Sequence, residues 1–261
     1  MLTALILIIL TILGLGAGSY ATMGVYRLPK GERWIGEGPI CRLCRHRLAF
    51  RDFCPVISYF RLKGVCRYCH GEYPVRWIYF LTEFLITCGF IIHYFYYGLS
   101  EAYILATGFW IYTVVVTMIE WEQAKIPPTL LIVLTMIAMV YRVHDEYSLY
   151  GIFYGGALAS LAALVLRDLY FRLQGDTMTG RDFLAFTDAN RFAGPGFDYV
   201  KVTTIAGIWL GPSHLHWLLA VCLILGILAW LNKRYKLGRH LPWASLILWA
   251  TLAMTAYQYA Y

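Results

Sequence analysis

Charge is what this sequence has least of: only 14% of its 261 residues are Asp, Glu, Lys or Arg, against 60% hydrophobic. Soluble domains carry about a quarter charged residues, so this composition excludes a soluble fold. No basic segment precedes the opening apolar stretch, Leu2–Val25, which is long enough to span a bilayer. That reads as a retained first helix and not as a cleaved signal peptide. There is no internal repeat, no low-complexity tract, no glycine-rich nucleotide loop and no second cluster of metal ligands in the apolar runs. What remains is an integral, all-α polytopic membrane protein. Its nine Trp and 21 Tyr suit many positions at membrane–water interfaces.

The scarce charge is concentrated. Residues 27–76 hold 11 of the 22 Lys and Arg against four acids, so that loop alone accounts for the net +7 of the chain. A basic loop between spans stays on the cytoplasmic side, which explains the excess without nucleic acid. The apolar runs predict eight spans, at about 2–25, 77–97, 102–119, 126–142, 149–166, 199–213, 214–232 and 241–260, the fourth and sixth being short. Threaded from an outside N-terminus, they place 27–76, 120–125, 167–198 and the basic 233–240 in the cytoplasm. Glu101, Asp145 and Glu146 fall on the opposite side. The organisation is a first transmembrane helix (1–26), a cytoplasmic loop (27–76) and a transmembrane helical domain (77–261). Segment 167–198, rich in Gly and Asp, reads as a loop with a short helix.

Seven cysteines are present, and four form two knuckles, Cys41-Arg42-Leu43-Cys44 and Cys66-Arg67-Tyr68-Cys69, 21 residues apart. C-x2-C-x21-C-x2-C has the spacing of a four-thiolate zinc site, in which each knuckle delivers two sulfurs to one tetrahedral ion. The alternatives are free thiols or a pair of disulfides, and a reducing cytoplasm disfavours disulfides. A shell closed by four sulfurs leaves no open position for substrate, so the metal is structural. Cys54, His46 and His70 stand nearby as competing ligands. Cys88 and Cys222 lie in apolar runs and read as core residues.

Several strings resemble the type 4 prepilin peptidases, the membrane aspartic proteases that trim pilin and pseudopilin leaders. Gly18-Ser19-Tyr20 through Val25-Tyr26-Arg27-Leu28-Pro29 is similar to the family's G-S-F-x-N-x-x-x-x-R-L-P signature, with Ala21-Thr22 where Leu-Asn is usual. Cys54-Pro55 through Gly64-Val65-Cys66 resembles its I-P-x-x-S-x-x-x-L-x-G-x-C run, and both knuckles fall where the family's zinc loop has them. Ile126-Pro127-Pro128 resembles the motif that follows the first catalytic aspartate, with Pro128 replacing Asp.

The resemblance implies a helical membrane fold in which two aspartates at cytoplasmic helix ends activate a water. The water cuts after a glycine that ends a short basic leader, in type IV pilus or type II secretion biogenesis. It implies prepilin or pseudopilin partners and, by resemblance alone, N-methylation from S-adenosylmethionine. The departures fall on the catalytic positions. Glu120 and Glu122 replace the usual I-D-x-D acids, Glu120 taking the catalytic slot. In the second motif, an ungapped register matching Gly207, Trp209 and Gly211 puts Tyr199 in the aspartate slot, whereas a one-residue shift makes it Asp198.

Each candidate has a plainer role as well. Glu120 and Glu122 suit interfacial carboxylates, Asp198 a helix N-cap, and Lys201 either a snorkelling lysine or the charge partner of Asp198. Gly194 and Gly196 read as backbone breaks, and Asp182 and Asp188 as solvated loop residues. Glu83 lies inside the second span with no obvious partner in the sequence, where an acid is paired or functional. The rival to a peptidase is a catalytically impaired relative acting as a prepilin-binding scaffold. Substitution in both motifs is what that rival predicts.

Overall fold

A computed structural model describes residues 2–34, 41, 43–44, 46–47, 65–71, 77–123, 126–144, 149–173, 197–234 and 243–260. Among these, eight α-helices follow one another and no strand is formed: α1 Leu2–Arg27, α2 Trp77–Tyr97, α3 Glu101–Gln123, α4 Pro128–His144, α5 Leu149–Leu173, α6 Phe197–Leu210, α7 Leu215–Arg234 and α8 Trp243–Ala260. The protein is an all-α multi-pass membrane protein. Four helices are long and apolar enough to cross a bilayer, and the pair α6–α7, bent by 113°, is a fifth span or a re-entrant break. The short fourth and sixth spans expected from sequence correspond to α4, of 17 residues, and α6, of 14.

The chain forms two compact units, Met1–Glu122 and Gln123–Tyr261. In the first, α1 meets α2 through small residues. A Cβ on Gly14 would lie 2.8 Å from the Thr87 Cα, and one on Gly18 2.7 Å from the Glu83 Cα, so backbone approaches backbone at both places. The turn from α2 to α3 is tight. Gly98, at φ +62°, donates its amide to Tyr94 O, and Ser100 Oγ accepts the Tyr103 amide as an N-cap. Trp110 Nε1 then donates to Leu85 O at 2.9 Å, tying α3 to α2.

In the second unit, Pro128 opens α4 at a position where a missing amide costs nothing. Its core stacks Tyr141 on Trp209 at 4.1 Å between ring centroids, and Trp209 Nε1 donates to Thr255 Oγ1 at 2.9 Å. Phe153, Leu161, Val165 and Leu169, on one stripe of α5, point outward as lipid-facing residues do. α5 runs seven residues past the span expected to end at 166, carrying buried Arg167 and an Asp168–Arg172 pair at 2.7 Å. That i,i+4 pair supports a helical turn that hydrophobicity does not signal. The rest of 167–198 up to residue 196, with Asp182, Asp188, Gly194 and Gly196, lies outside the described residues.

Gly211 makes the break between α6 and α7. It sits at φ +71°, and a Cβ there would run into the Arg142 guanidinium. Gly211→Ala therefore combines backbone strain with a steric clash. We expect it to lower stability by about 1–3 kcal/mol, read as a lower thermal midpoint of the detergent-solubilised protein.

Candidate metal centre and candidate active site

The two knuckles fold alike. Cys41 N–H donates to His46 O at 2.8 Å, and Cys66 N–H donates to Gly71 O at 3.0 Å. Each therefore curls its chain around its first sulfur, and a bridge at Arg47 and Val65 joins them. Each contributes one buried cysteine (Cys41, Cys66) and one exposed (Cys44, Cys69). Leu43 of one knuckle covers Gly71 of the other, and the His46 and Tyr68 rings lie 3.7 Å apart. All four sulfurs lie within 4.8 Å of one another. Tetrahedral zinc with sulfurs at about 2.3 Å needs them about 3.8 Å apart, so a small contraction completes the shell. The donor set fits a metal ion, and no described cysteine is in a disulfide. Neither His46 nor His70 joins the cluster; Cys54 lies outside the described residues.

The thiols share charge unequally. Burial opposes the Cys41 thiolate, but the amides of Cys44 and Leu43 and the thiols of Cys66 and Cys44 donate to it and bring it down to about 7. The His46 amide favours a Cys44 thiolate. Desolvation and its hydrogen bonds to Cys41, Cys69 and Cys66 outweigh that and push it up to about 11. One anion thus forms first in the cluster, and the remaining protons leave when a cation enters.

The candidate catalytic residues sit at helix ends. Glu120 is half-buried in the last turn of α3, beside fully buried Ile119 and exposed Trp121. Glu122 is on the same helix, and its side chain lies outside the described residues. Positions two apart on a helix differ by about 200°, so 120 and 122 do not share a face. Asp198 is in the first turn of α6, one-third exposed, and accepts a hydrogen bond from Lys201 Nζ at 2.9 Å. Tyr199, next to it, is 5% exposed and shares a side-chain hydrogen bond with Cys222 in the unit's core. Cys222 is thus a buried core residue, as expected, and Cys88 is half-buried.

Sequence reasoning missed the partner of Glu83. Glu83 is fully buried in α2, and Ser19 Oγ of α1 donates to its Oε1. The signal was the small-residue run Gly14-Leu15-Gly16-Ala17-Gly18-Ser19, which prepares α1 for close packing against a polar neighbour.

The Bacterial Peptidase A24 N-terminal domain model matches residues 12–97. A prepilin leader peptidase/N-methyltransferase of Vibrio cholerae is 25% identical, over 73% of this chain and 79% of its own length. Proteins of the same name from Neisseria gonorrhoeae and Dickeya chrysanthemi are 23% and 25% identical, over 88% and 91% of this chain and 82% and 87% of theirs. About a third of the chain thus matches the A24 N-terminal model, and most of its length is similar to prepilin leader peptidase/N-methyltransferases. No solved structure matches it. For a prepilin peptidase relative, the matched N-terminal segment includes both knuckles, Ser19 and Glu83, while Glu120 and Asp198 lie beyond it.

Proposed function

We propose that this protein is an aspartic-type membrane endopeptidase that removes the basic leader of prepilins or pseudopilins, with Glu120 and Asp198 as its carboxylate pair. The observation that carries this reading is the placing of Asp198. The acid stands at the accessible head of α6, held by Lys201, while its neighbour Tyr199 is turned into the core. Of the two registers, only the one that uses Asp198 offers a carboxylate. In the reaction one carboxylate takes a proton from water, which attacks the scissile carbonyl, and the other carboxyl gives its proton to the leaving amine. Two like charges held close do not both ionise, which divides these roles. Glu122 is the alternative to Glu120 on α3.

Cys41, Cys44, Cys66 and Cys69 hold one zinc that cross-links the loop and takes no part in the chemistry. The protein lies in the bacterial inner membrane with loops 27–76 and 233–240 in the cytoplasm, where substrate leaders are met. Methylation from S-adenosylmethionine attaches to this reading through the relatives' names alone.

The test is cleavage of a co-expressed prepilin from the same organism. Glu120→Gln and Asp198→Asn each keep shape and remove the charge, and each is expected to cut turnover by about 10³-fold or more while prepilin still binds. Glu120→Asp is expected to retain or raise activity. Equal cutting by wild type and both neutral variants would remove these residues from the mechanism.

A second reading, a prepilin-binding scaffold, is favoured by the Glu at the first acidic slot and by Tyr199 in the ungapped register. It predicts that wild type binds its true prepilin and cuts nothing.

A further inference from the structure

The four sulfurs of the metal loop differ in what can reach them. Cys41 and Cys66 are 3% and 0% exposed, whereas Cys44 and Cys69 are open to solvent. The difference follows from the knuckle itself, which reads Cys-Arg-apolar-Cys both times. In each, the amide of the first cysteine is tied to a carbonyl further on, at His46 and at Gly71, so the chain closes around that sulfur. In the first knuckle the amides of Cys44 and Leu43 also donate to the Cys41 sulfur. In the second, His70 turns the chain at φ +53° and returns its amide to Cys66 O at 2.9 Å, which leaves Cys69 at the corner of the turn. Backbone wraps the inner pair of sulfurs, and water reaches the outer pair.

The outer pair also meets across the knuckles. The Cys44 thiol shares a hydrogen bond with Cys69, and no two of the four sulfurs are more than 4.8 Å apart. A disulfide holds its sulfurs about 2.05 Å apart, so Cys44 and Cys69 have less than about 3 Å to close. Joining Cys44 to Cys41 would instead draw the inner sulfur away from the amides that donate to it. Cysteines that ligate a metal are thiolates, and the thiolate is also the form that oxidants attack. An accessible thiolate with a second one in reach is the arrangement of a redox-sensing pair.

We propose that Cys44 and Cys69 make the metal loop a redox switch, which hydrogen peroxide closes into a cross-knuckle disulfide with release of the metal. The inference rests on the zinc reading of the cluster and not on the peptidase reading. One outer thiolate attacks a peroxide oxygen, the O–O bond breaks, and the leaving hydroxide takes a proton and departs as water. The sulfenic acid left behind is attacked by the other outer thiolate. The S–S bond forms as hydroxide leaves, and a second proton makes the second water. Each sulfur gives up one electron, each peroxide oxygen gains one, and two protons are consumed. Cys41 and Cys66 stay reduced, but two thiols are half of a structural zinc shell and do not retain the ion. The disulfide is solvent-exposed, so a small thiol reductant reopens it by exchange, and a reducing cytoplasm keeps the switch open at rest.

The test uses the full-length, zinc-loaded protein in nanodiscs, treated with hydrogen peroxide beside a chromophoric chelator. About one zinc is expected to leave for each peroxide consumed, well above the rate with chelator alone. Alkylation before and after reduction, read by peptide mass spectrometry, is expected to find Cys44 joined to Cys69 and both Cys41 and Cys66 as thiols. Dithiothreitol with added zinc is expected to restore about one zinc per chain. Cys54→Ser removes the remaining cysteine of the 27–76 loop and is expected to respond as wild type does. Zinc retained through several equivalents of peroxide would overturn the switch while leaving the metal reading in place. A disulfide that uses Cys41, Cys54 or Cys66 would overturn it too, as would sulfinic acid formed with no disulfide. If the purified chain binds no zinc at all, the metal reading fails and the switch falls with it.

Discussion

Cys66→Ser is expected to abolish binding of the metal proposed for the four-cysteine cluster and to loosen the knuckle around it. The Cys66 sulfur is fully buried, and its amide closes the second knuckle, so the side chain is both a ligand and the centre of the loop's fold. Structural zinc in comparable sites binds with about 10–16 kcal/mol, and a three-sulfur site forfeits a large part of that. Purified wild type is expected to carry about one zinc per chain and the variant close to none, measured by emission spectrometry. Limited proteolysis should cut the variant between residues 41 and 71 first. Acid acts in the same direction. Cys41 is lowered to about 7, so its share of the metal's stabilisation is present above its ordinary value of 9.0 and fades as pH falls through 7. Cys44, raised to about 11, surrenders a proton to the metal throughout that range. Retention against a chromophoric chelator should therefore fall steadily from about pH 8 to about pH 5, most steeply below neutrality. A metal content independent of pH and of Cys66 would mean that other groups hold it.

Gly18→Val is expected to separate α1 from α2. The new Cβ would lie 2.7 Å from the backbone Cα of Glu83, and a backbone atom cannot rotate away. Overpacking of this kind costs about 1–3 kcal/mol. The shift also pulls Ser19 from Glu83, breaking a buried hydrogen bond to an acid, worth about 1.5–3 kcal/mol more. Together these should lower the thermal midpoint by on the order of 10 °C. Gly16→Val is the control on the same helix. Its side chain enters open space, so its midpoint should stay near wild type. Equal losses in the two variants would trace the effect to the β-branched valine side chain itself and not to the close approach of the two helices.

The four-cysteine cluster was legible because a metal site imposes its own arithmetic. Four thiolates must arrive in pairs, and Cys41, Cys44, Cys66 and Cys69 keep that spacing whatever surrounds them. The helices were legible because uninterrupted apolar runs in lipid leave the backbone little alternative to a helix. Their ends were less so. α5 continues to Leu173 on the strength of polar pairs such as Asp168–Arg172, and α3 carries Glu120 and Glu122 as helical residues, not as a loop. Partners distant in sequence were not legible: Ser19 and Glu83 are 64 residues apart, and nothing local to Glu83 announces its donor. The register at Asp198 and Tyr199 could not be chosen from the strings, since both alignments use the same letters. Burial separates the two side chains, with the tyrosine inward and the acid at the rim.

The brevity of α4 and α6 has a consequence for the membrane. At 17 and 14 residues they measure about 26 and 21 Å, against about 30 Å for a hydrocarbon core. If either crosses the bilayer by itself, lipid beside it must thin, or the helix must draw headgroups inward, at a fraction of a kcal/mol per ångström of mismatch. Asp198 and Lys201, in the first turns of the shorter helix, then meet phosphate and water at a depth where a full-length span would meet acyl chains. Acyl-chain length becomes a variable of this protein's chemistry: short-chain lipids relieve the mismatch, and long-chain lipids press hydrocarbon onto that ion pair.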